Sequence, residues 1–377
     1  MNSSKIKIMS EENVAKALFK LGMPMVVSML IMALYNVVDT YFVSGLGKHS
    51  VAAVSVAFPI SLIFSGIGLT FGAGAGSYIS RLLGGEKKKE ADIVATVAMF
   101  TSVIIGAITG MTLLFLLTDV LKFMGAIPSI IEIAKKYAII FIISTMVSTA
   151  NVTAGNLAVA QGAAKVSLKA MIIGSVLNMV LDPIFIYGLN LGVNGAAIAT
   201  LISQVVTLFI YIIYFKSEKS YIKLKISNFK PTINAYKEIL KVGISMFLLQ
   251  IFSSISMSKI SSSASLYGED AIAAMGIVLR IVTLGTNVVF GYMKGLQPLA
   301  GFNYGAKNYK RLNEAIRCCI KYINLFCLVW TILLYIFAPN ILSIFGTGES
   351  VLKIAVPALR AGVIMFITFG FQFTYST

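Results

Sequence analysis

Ten long apolar stretches limit this chain to one broad class of fold. A helix of about 20 apolar residues crosses the hydrocarbon core of a bilayer and satisfies its own backbone polar groups. The sequence is 58% hydrophobic and 12% charged over 377 residues, whereas soluble domains carry about 25% charged residues. We therefore predict an all-α polytopic membrane protein with spans at residues 18–46, 51–80, 92–118, 133–158, 167–189, 194–215, 238–266, 271–301, 315–338 and 353–376.

The longest polar connection divides the ten spans into two groups. Most connections are short, but residues 216–237 form a lysine-rich stretch after the sixth span. This stretch predicts an N-terminal lobe of six spans at residues 1–220 and a C-terminal lobe of four spans at residues 221–377.

The basic residues indicate the orientation in the membrane. A net charge of +16 would suggest a nucleic-acid partner in a soluble protein, but here 22 Lys and Arg residues lie in segments on one side and 5 on the other. Because basic loops stay in the cytoplasm, we predict a cytoplasmic N-terminus in a bacterial or archaeal cytoplasmic membrane. The bilayer is then the expected partner, and nucleic acid is not.

The two groups of spans repeat each other at an offset of 221 residues without a gap. Glycines match in this register, and three of the four pairs lie at turns, where the backbone geometry is fixed. The matched pairs are Gly22 with Gly243, Gly47 with Gly268, Gly84 with Gly305 and Gly125 with Gly346. Since six spans return the chain to its starting side, the repeats are parallel and related by a pseudo-two-fold axis along the membrane normal.

The repeat also makes a prediction about length. Thr377 corresponds to Asn156, which lies inside the fourth span of the first lobe. The repeat therefore predicts two six-helix bundles whose last two helices are absent from this chain.

Polar groups in the first lobe share one depth in the membrane. Asp39, Asp182 and Thr200 each lie about 10 Å below the outer rim at 1.5 Å per residue. Asn178 lies one helical turn from Asp182, and Pro183 removes an N–H and leaves the Met179 carbonyl free. These oxygen ligands suit Na⁺ or a proton. Ionising two neighbouring carboxyl groups is energetically costly, so one of them would be protonated.

The second lobe is basic at a similar depth. Lys259, Arg280 and Arg360 lie within its spans, and these spans contain no carboxylate at that depth. Such bases either extend toward the interface and pair with polar groups, or line a cavity wall that receives an anionic or zwitterionic substrate. The predicted substrate cavity is lined by Tyr35, Asn36, Tyr137, Lys259, Arg280 and Arg360.

Four motifs together give the chain a family resemblance. They are Asn36-Val-Val-Asp39 in the first span, Asn178-Met-Val-Leu-Asp182-Pro in the fifth, residues 192–200 at the start of the sixth, and Gln297-Pro-Leu-Ala-Gly-Phe-Asn-Tyr-Gly-Ala306 at the end of the eighth. In these motifs the sequence resembles the multidrug and toxic compound extrusion (MATE) family.

The resemblance implies twelve helices in two lobes, an outward-opening cleft, and export driven by entry of Na⁺ or H⁺. The family's cation site maps onto Asp39, Asn178, Asp182 and Thr200, with Tyr35 and Tyr137 nearby. The second lobe departs from members that carry carboxylates there.

These observations predict a cation-coupled antiporter that exports amphiphilic drugs or toxic organic compounds. We expect a monomer that is not an enzyme and uses no cofactor beyond the coupling ion, Na⁺ or H⁺, with Asp39 and Asp182 holding Na⁺ if sodium couples. An alternative is a related lipid-linked oligosaccharide flippase, in which Lys259, Arg280 and Arg360 would bind a pyrophosphate. A membrane enzyme or receptor is disfavoured because the sequence shows no nucleophile–base pair or metal-ligand set.

Overall fold

The computed structural model describes residues 4–343 and 348–376. All regular secondary structure in these residues is helical. Within these residues, ten helical segments are long and apolar enough to cross a membrane, which confirms the predicted number of spans. The helices are α1 Ser4–Ser10, α2 Val14–Ser44, α3 Lys48–Gly84, α4 Lys88–Phe115, α5 Leu117–Phe123, α6 Ile131–Ala160, α7 Ala164–Pro183, α8 Val193–Lys216, α9 Ile233–Ser265, α10 Glu269–Gly305, α11 Tyr309–Ile336, α12 Ala338–Ser343, α13 Glu349–Ile364 and α14 Phe366–Ser376.

The structure adds short elements that the search for spans did not predict. Helices α1, α5 and α12 have 7, 7 and 6 residues, too short for a hydropathy window sized to a bilayer. The predicted tenth span is two helices, α13 and α14, that meet at Met365. The fifth span ends in a single π-helical turn at Ile184–Gly188.

The internal repeat is confirmed by the helix boundaries. Helices α3 and α10 begin and end at positions 221 residues apart, and so do α4 and α11. The turns match as well. Gly47 and Gly268 precede α3 and α10 with φ of +89° and +94°, a conformation that favours glycine.

Two further turn residues are matched in the same register. Glu86 and Lys307, again 221 residues apart, have φ of +61° and +56°, which is uncommon for residues other than glycine. The predicted pairing of Gly125 with Gly346, and the terminal Thr377, lie outside the described residues.

The two lobes meet through closely packed glycines, in the half of the molecule that carries the N-terminus; we call that side the N-terminal face. A methyl group at Gly84 would overlap the Phe302 carbonyl, and one at Gly305 would overlap the Arg81 carbonyl. The same is true of further glycines along α2, α3, α9 and α10. We call this set the glycine seam: Gly22, Gly74, Gly84, Gly243, Gly295 and Gly305.

The glycine seam obeys the pseudo-two-fold axis. Gly295 lies against Gly22, and their repeat equivalents, Gly74 and Gly243, also lie against each other. Close backbone approach through small residues is how helices associate in lipid, where the hydrophobic effect does not drive them together. A polar contact adds to it, since Gln297 donates to the Ala73 carbonyl at 3.1 Å.

Helix α1 crosses the N-terminal face and contacts both lobes. Lys5 Nζ donates to the Tyr214 hydroxyl of the first lobe at 2.8 Å. The Met9 carbonyl accepts from Asn303 Nδ2 at 3.2 Å and from Arg311 Nε at 3.1 Å, both in the second lobe. Met9 itself is fully buried. Helix α1 is therefore a strap between the lobes.

The opposite halves of the helices are less covered. On the part of α2 farthest from the N-terminal face, Leu34, Val37 and Tyr41 are 56%, 55% and 72% exposed. A methyl group at Gly276 of α10 would meet nothing within 4 Å. The close contacts between the lobes described above thus belong to the N-terminal face.

Candidate functional site

The site begins where α7 ends. Asp182 is the penultimate residue of α7 and is fully buried. Pro183 follows it, and the chain then widens into the π-helical turn Ile184–Gly188. Proline cannot donate the next helical hydrogen bond, and π turns concentrate at functional sites. The sequence therefore places a carboxylate at a break in the helix.

A hydrogen bond fixes this break against α2. The Tyr187 hydroxyl, inside the π turn, donates to the Phe42 carbonyl at 2.6 Å. Phe42 lies three residues beyond Asp39 on α2. The bond therefore holds the end of α7 beside the part of α2 that carries the second carboxylate.

Asn178 joins Asp182 to α8. Its amide lies 2.9 Å from Asp182 Oδ2 on one side and 3.3 Å from Thr200 Oγ1 on the other. Asn178 is 2% exposed, and Thr200 in turn donates to the Ala196 carbonyl at 2.9 Å. The three residues predicted from α7 and α8 are thus in one hydrogen-bonded row.

The row is compatible with both protonation states of the carboxyl. With its nitrogen toward Asp182, the Asn178 amide donates to an ionised carboxylate, and its oxygen lies 3.1 Å from the Thr200 N–H. With its oxygen toward Asp182, it accepts from a protonated carboxyl and donates to Thr200. An amide has both a donor and an acceptor end, so it can serve either form.

Asp39 of α2 lies near this row. It is partly buried and close enough to Asp182 to interact with it electrostatically. The Tyr35 side chain, one turn before Asp39, lies near Thr200. Tyr137 of α6 is 5% exposed and within electrostatic range of both carboxyls. The structure therefore brings Asp39, Asn178, Asp182, Thr200, Tyr35 and Tyr137 into one neighbourhood.

One carboxylate oxygen in this neighbourhood is available to a ligand. Asp182 Oδ1 is buried and has no hydrogen-bond partner among the described residues. A buried polar atom without a partner costs about 1–3 kcal/mol, and a bound cation or proton removes that cost. The neighbouring groups are oxygen donors, which hard cations prefer. The described residues include no group of three His, Cys, Asp or Glu of the kind that holds a transition metal.

The bases of the second lobe do not form one group within the described contacts. The Arg360 guanidinium donates from Nε to the Tyr335 carbonyl at 3.1 Å and lies 5.2 Å from the Tyr335 ring centroid. Lys259 is exposed on α9 and lines a groove of about 560 Å³ together with Tyr267, but neither Arg280 nor Arg360 lines it. Arg280 is exposed on α10, as Asn36 is on α2.

Sequence reasoning missed a second polar cluster one turn deeper. Asn151 of α6 donates from Nδ2 to Gln204 Oε1 at 2.7 Å and to the Gln204 carbonyl at 2.8 Å. Ser203, beside Gln204 on α8, is 4% exposed. The available signal was the spacing, since Ser203 and Gln204 follow Thr200 by three and four residues and so share its face.

Comparisons with known proteins agree with this architecture. A family model described as MatE matches residues 24–184 and 242–377. The multidrug export protein MepA of Staphylococcus aureus strain N315 is 28% identical over 377 residues, covering 100% of this chain and 83% of that protein.

Two solved structures have nearly the same fold. One is described as the outward-facing conformation of a multidrug resistance MATE family transporter, with a TM-score of 0.93 and 30% identity over 99% of this chain and 84% of that chain. The other is a transporter from Pyrococcus furiosus whose binding pocket is described as having reverse polarity, with a TM-score of 0.92 and 30% identity over 100% and 84%. The chain is a multi-pass membrane protein of the multidrug and toxic compound extrusion (MATE) family.

Proposed function

We propose that this protein is a cation-coupled antiporter that exports amphiphilic organic compounds, with Asp39, Asn178, Asp182 and Thr200 as the cation site. The observation that carries the proposal is the buried Asp182 carboxylate, which has one oxygen bonded to Asn178 and the other without a partner among the described residues. A fully buried acid of this kind inside a span is a functional site by default.

The direction of coupling follows from differential affinity. A cation drives export only if it binds the state open to one side more tightly than the state open to the other. In the described state, the lobes are closed by the glycine seam at the N-terminal face, which the basic loops predict to be the cytoplasmic side. The site on α2, α7 and α8 would then load from outside, and Na⁺ and H⁺ are the candidate ions.

Movement between states would involve α2. This helix carries Asp39 near one end and Pro24 near the other, and it packs against α7 of the first lobe and α10 of the second. A proline inside a helix removes one hydrogen bond and permits bending. Binding of a cation by Asp39 and Asp182 would hold α2 against α7, whereas repulsion between two ionised carboxylates would favour their separation.

The substrate class rests on the relatives. MepA is described as a multidrug export protein, and amphiphilic compounds suit a cavity with aromatic walls such as Tyr35 and Tyr137. The flippase alternative needs Lys259, Arg280 and Arg360 to meet one pyrophosphate, but Arg360 is bound to Tyr335. We therefore favour the exporter, working as a monomer in a cytoplasmic membrane.

Transport in proteoliposomes tests the proposal. The wild-type protein should export a fluorescent organic cation when an inward Na⁺ or H⁺ gradient is imposed, and one of these gradients alone should suffice. Asp39→Asn and Asp182→Asn should each abolish the gradient-driven component. The matched control is Asp119→Asn, because Asp119 is an acid on α5 and is not part of the proposed cation site. Wild-type export by both site variants would refute the cation site.

A further inference from the structure

A second buried polar cluster lies between the cation site and the N-terminal face. It consists of Asn151 on α6 with Ser203 and Gln204 on α8, and we call it the deep cluster. Helix α8 rises 1.5 Å per residue, so Gln204 lies about 6 Å below Thr200 along α8. The two polar groups are therefore successive levels of one helix face.

The deep cluster is ordered but not fully satisfied. Asn151 uses its nitrogen on Gln204 Oε1 at 2.7 Å and on the Gln204 carbonyl at 2.8 Å. Its Oδ1 is buried without a hydrogen-bond partner among the described residues, and so is Ser203 Oγ. Asn151 and Ser203 are 7% and 4% exposed. Buried polar atoms of this kind are ordinarily satisfied by internal water.

Another unpartnered group lies on α6, between the deep cluster and the face opposite the N-terminal face. Ser144 Oγ is buried and lacks a described partner, and Ser144 precedes Asn151 by seven residues, which is two turns on the same face of α6. Lipid-facing helices rarely carry such groups, because a polar atom without a partner is costly in hydrocarbon. Their alignment along the interior of the first lobe indicates a hydrated path.

The polar groups continue past the deep cluster toward the N-terminal face. The Thr207 hydroxyl donates to the Ser203 carbonyl at 2.8 Å. Further along, the Ser167 and Tyr211 hydroxyls lie 3.1 Å apart between α7 and α8. Tyr214 then accepts from Lys5 of the α1 strap at 2.8 Å. Polar side chains thus follow α8 from Thr200 to its end.

We propose that Asn151, Ser203 and Gln204 form a hydrated relay site for the coupling cation between Asp182 and the N-terminal face. The amide and hydroxyl oxygens would solvate either a hydrated proton or Na⁺, and no covalent bond is made or broken. The inference rests on the proposed cation coupling and adds a route: the ion leaves Asp182 through the interior of the first lobe, beside α8.

The test uses purified full-length protein and the variants Gln204→Met and Ser203→Ala. Each replaces a polar group by an apolar one of similar size, so the cluster loses oxygen ligands with little change in volume. Ser102→Ala is the matched control, because Ser102 is a buried serine on α4 whose hydroxyl is already bonded to the Met99 carbonyl. The probes are ²²Na⁺ washout from immobilised protein and, for protons, pyranine fluorescence after a pH jump.

We expect Gln204→Met to slow cation release and gradient-driven export by about tenfold, a barrier increase of about 1.4 kcal/mol. Equilibrium cation affinity should stay within about twofold of wild type, and Ser102→Ala should behave as wild type. Release at the wild-type rate in both Gln204→Met and Ser203→Ala would overturn the relay. So would a loss of equilibrium binding equal to the loss of export, since the residues would then be structural.

The same measurements separate this inference from the proposed function. If wild-type protein binds neither cation, or Asp182→Asn binds it normally, the cation site itself is wrong. If Asp182→Asn loses binding while Gln204→Met releases the ion normally, only the relay is wrong.

Discussion

The carbonyl oxygen of Arg81 lies directly against Gly305, at the point where the two lobes close. The repeat partner of Arg81 is Phe302, and its carbonyl lies against Gly84 in the same way. The two contacts are thus related by the pseudo-two-fold axis, and they place backbone against backbone. Neither has room for a side chain, so the closed state at the N-terminal face depends on glycine at both positions.

Replacing Gly305 with Ala should open the N-terminal face. Inside a helix, replacing Gly with Ala ordinarily stabilises the protein by about 0.5–1 kcal/mol. Here the added methyl group would overlap the Arg81 carbonyl, and such overpacking costs about 1–3 kcal/mol. Separating the two lobes would relieve this overlap. Spin labels at Lys89 and Lys310, equivalent exposed positions of the two lobes, would report the distance between them. We expect a longer distance to become populated.

Gly276→Ala is the control for this measurement. Gly276 also lies within α10, but a methyl group there meets nothing within 4 Å. A distance distribution that is the same in Gly305→Ala and Gly276→Ala would contradict the role given to the glycine seam.

Releasing the α1 strap should expose it without unfolding the bundle. The Arg311 guanidinium donates to the carbonyls of Met9 and Glu12, so Arg311→Gln removes the main contact of the strap with the second lobe. Hydrogen exchange of residues 4–12 should speed up by about tenfold. Arg317→Gln changes an exposed arginine of the same helix and should leave that exchange rate unaltered. Equal protection in both variants would show that the strap is held by other contacts.

The repeat and the span count could be predicted because each depends on local sequence. Hydropathy identifies a helix in lipid, and glycines such as Gly47 and Gly268 mark turns that need positive φ. Because a helix has a fixed rise per residue, the sequence also predicted that Asp39, Asp182 and Thr200 lie at the same depth in the membrane. Their shared neighbourhood required, in addition, that α2, α7 and α8 pack side by side.

The rest could not be predicted because it depends on contacts between distant segments. Nothing local to Arg360 distinguishes a cavity wall from a contact with Tyr335, and the structure shows the contact. In the sequence, Asn151 is one polar residue in an apolar span. Its partner, Gln204 of α8, is evident only from the packing of α6 against α8. The short helix α1 has no hydropathy signal, and its position follows from its partners on both lobes.

Replacing Thr200 with Val should weaken cation binding while keeping the shape of α8. The Thr200 hydroxyl is bonded to the Ala196 carbonyl and lies beside Asn178 and Tyr35. Loss of a net hydrogen bond costs about 0.5–1.5 kcal/mol, so affinity should fall by about twofold to tenfold. Thr200→Ser restores the hydroxyl and should restore the affinity in a calorimetric titration. Equal weakening by Val and Ser would point to packing as the cause.

Replacing Arg360 with Gln should lower stability slightly and spare transport. Its contact with the Tyr335 ring is an exposed cation–π pair worth about 0.5–1 kcal/mol. A small decrease in melting temperature, with unchanged export of an organic cation, is the expected result. Loss of export without a change in stability would instead indicate that Arg360 lines the substrate cavity.

A double-substitution cycle on cation binding tests whether Asp39 and Asp182 form one site. Titration calorimetry would measure ²³Na⁺ affinity and proton release for wild type, Asp39→Asn, Asp182→Asn and the double variant. If the two carboxyls bind one ion together, either single change removes binding and the double change adds nothing further. If each single variant still binds the cation and the two losses add, the carboxyls act independently and the shared site does not exist.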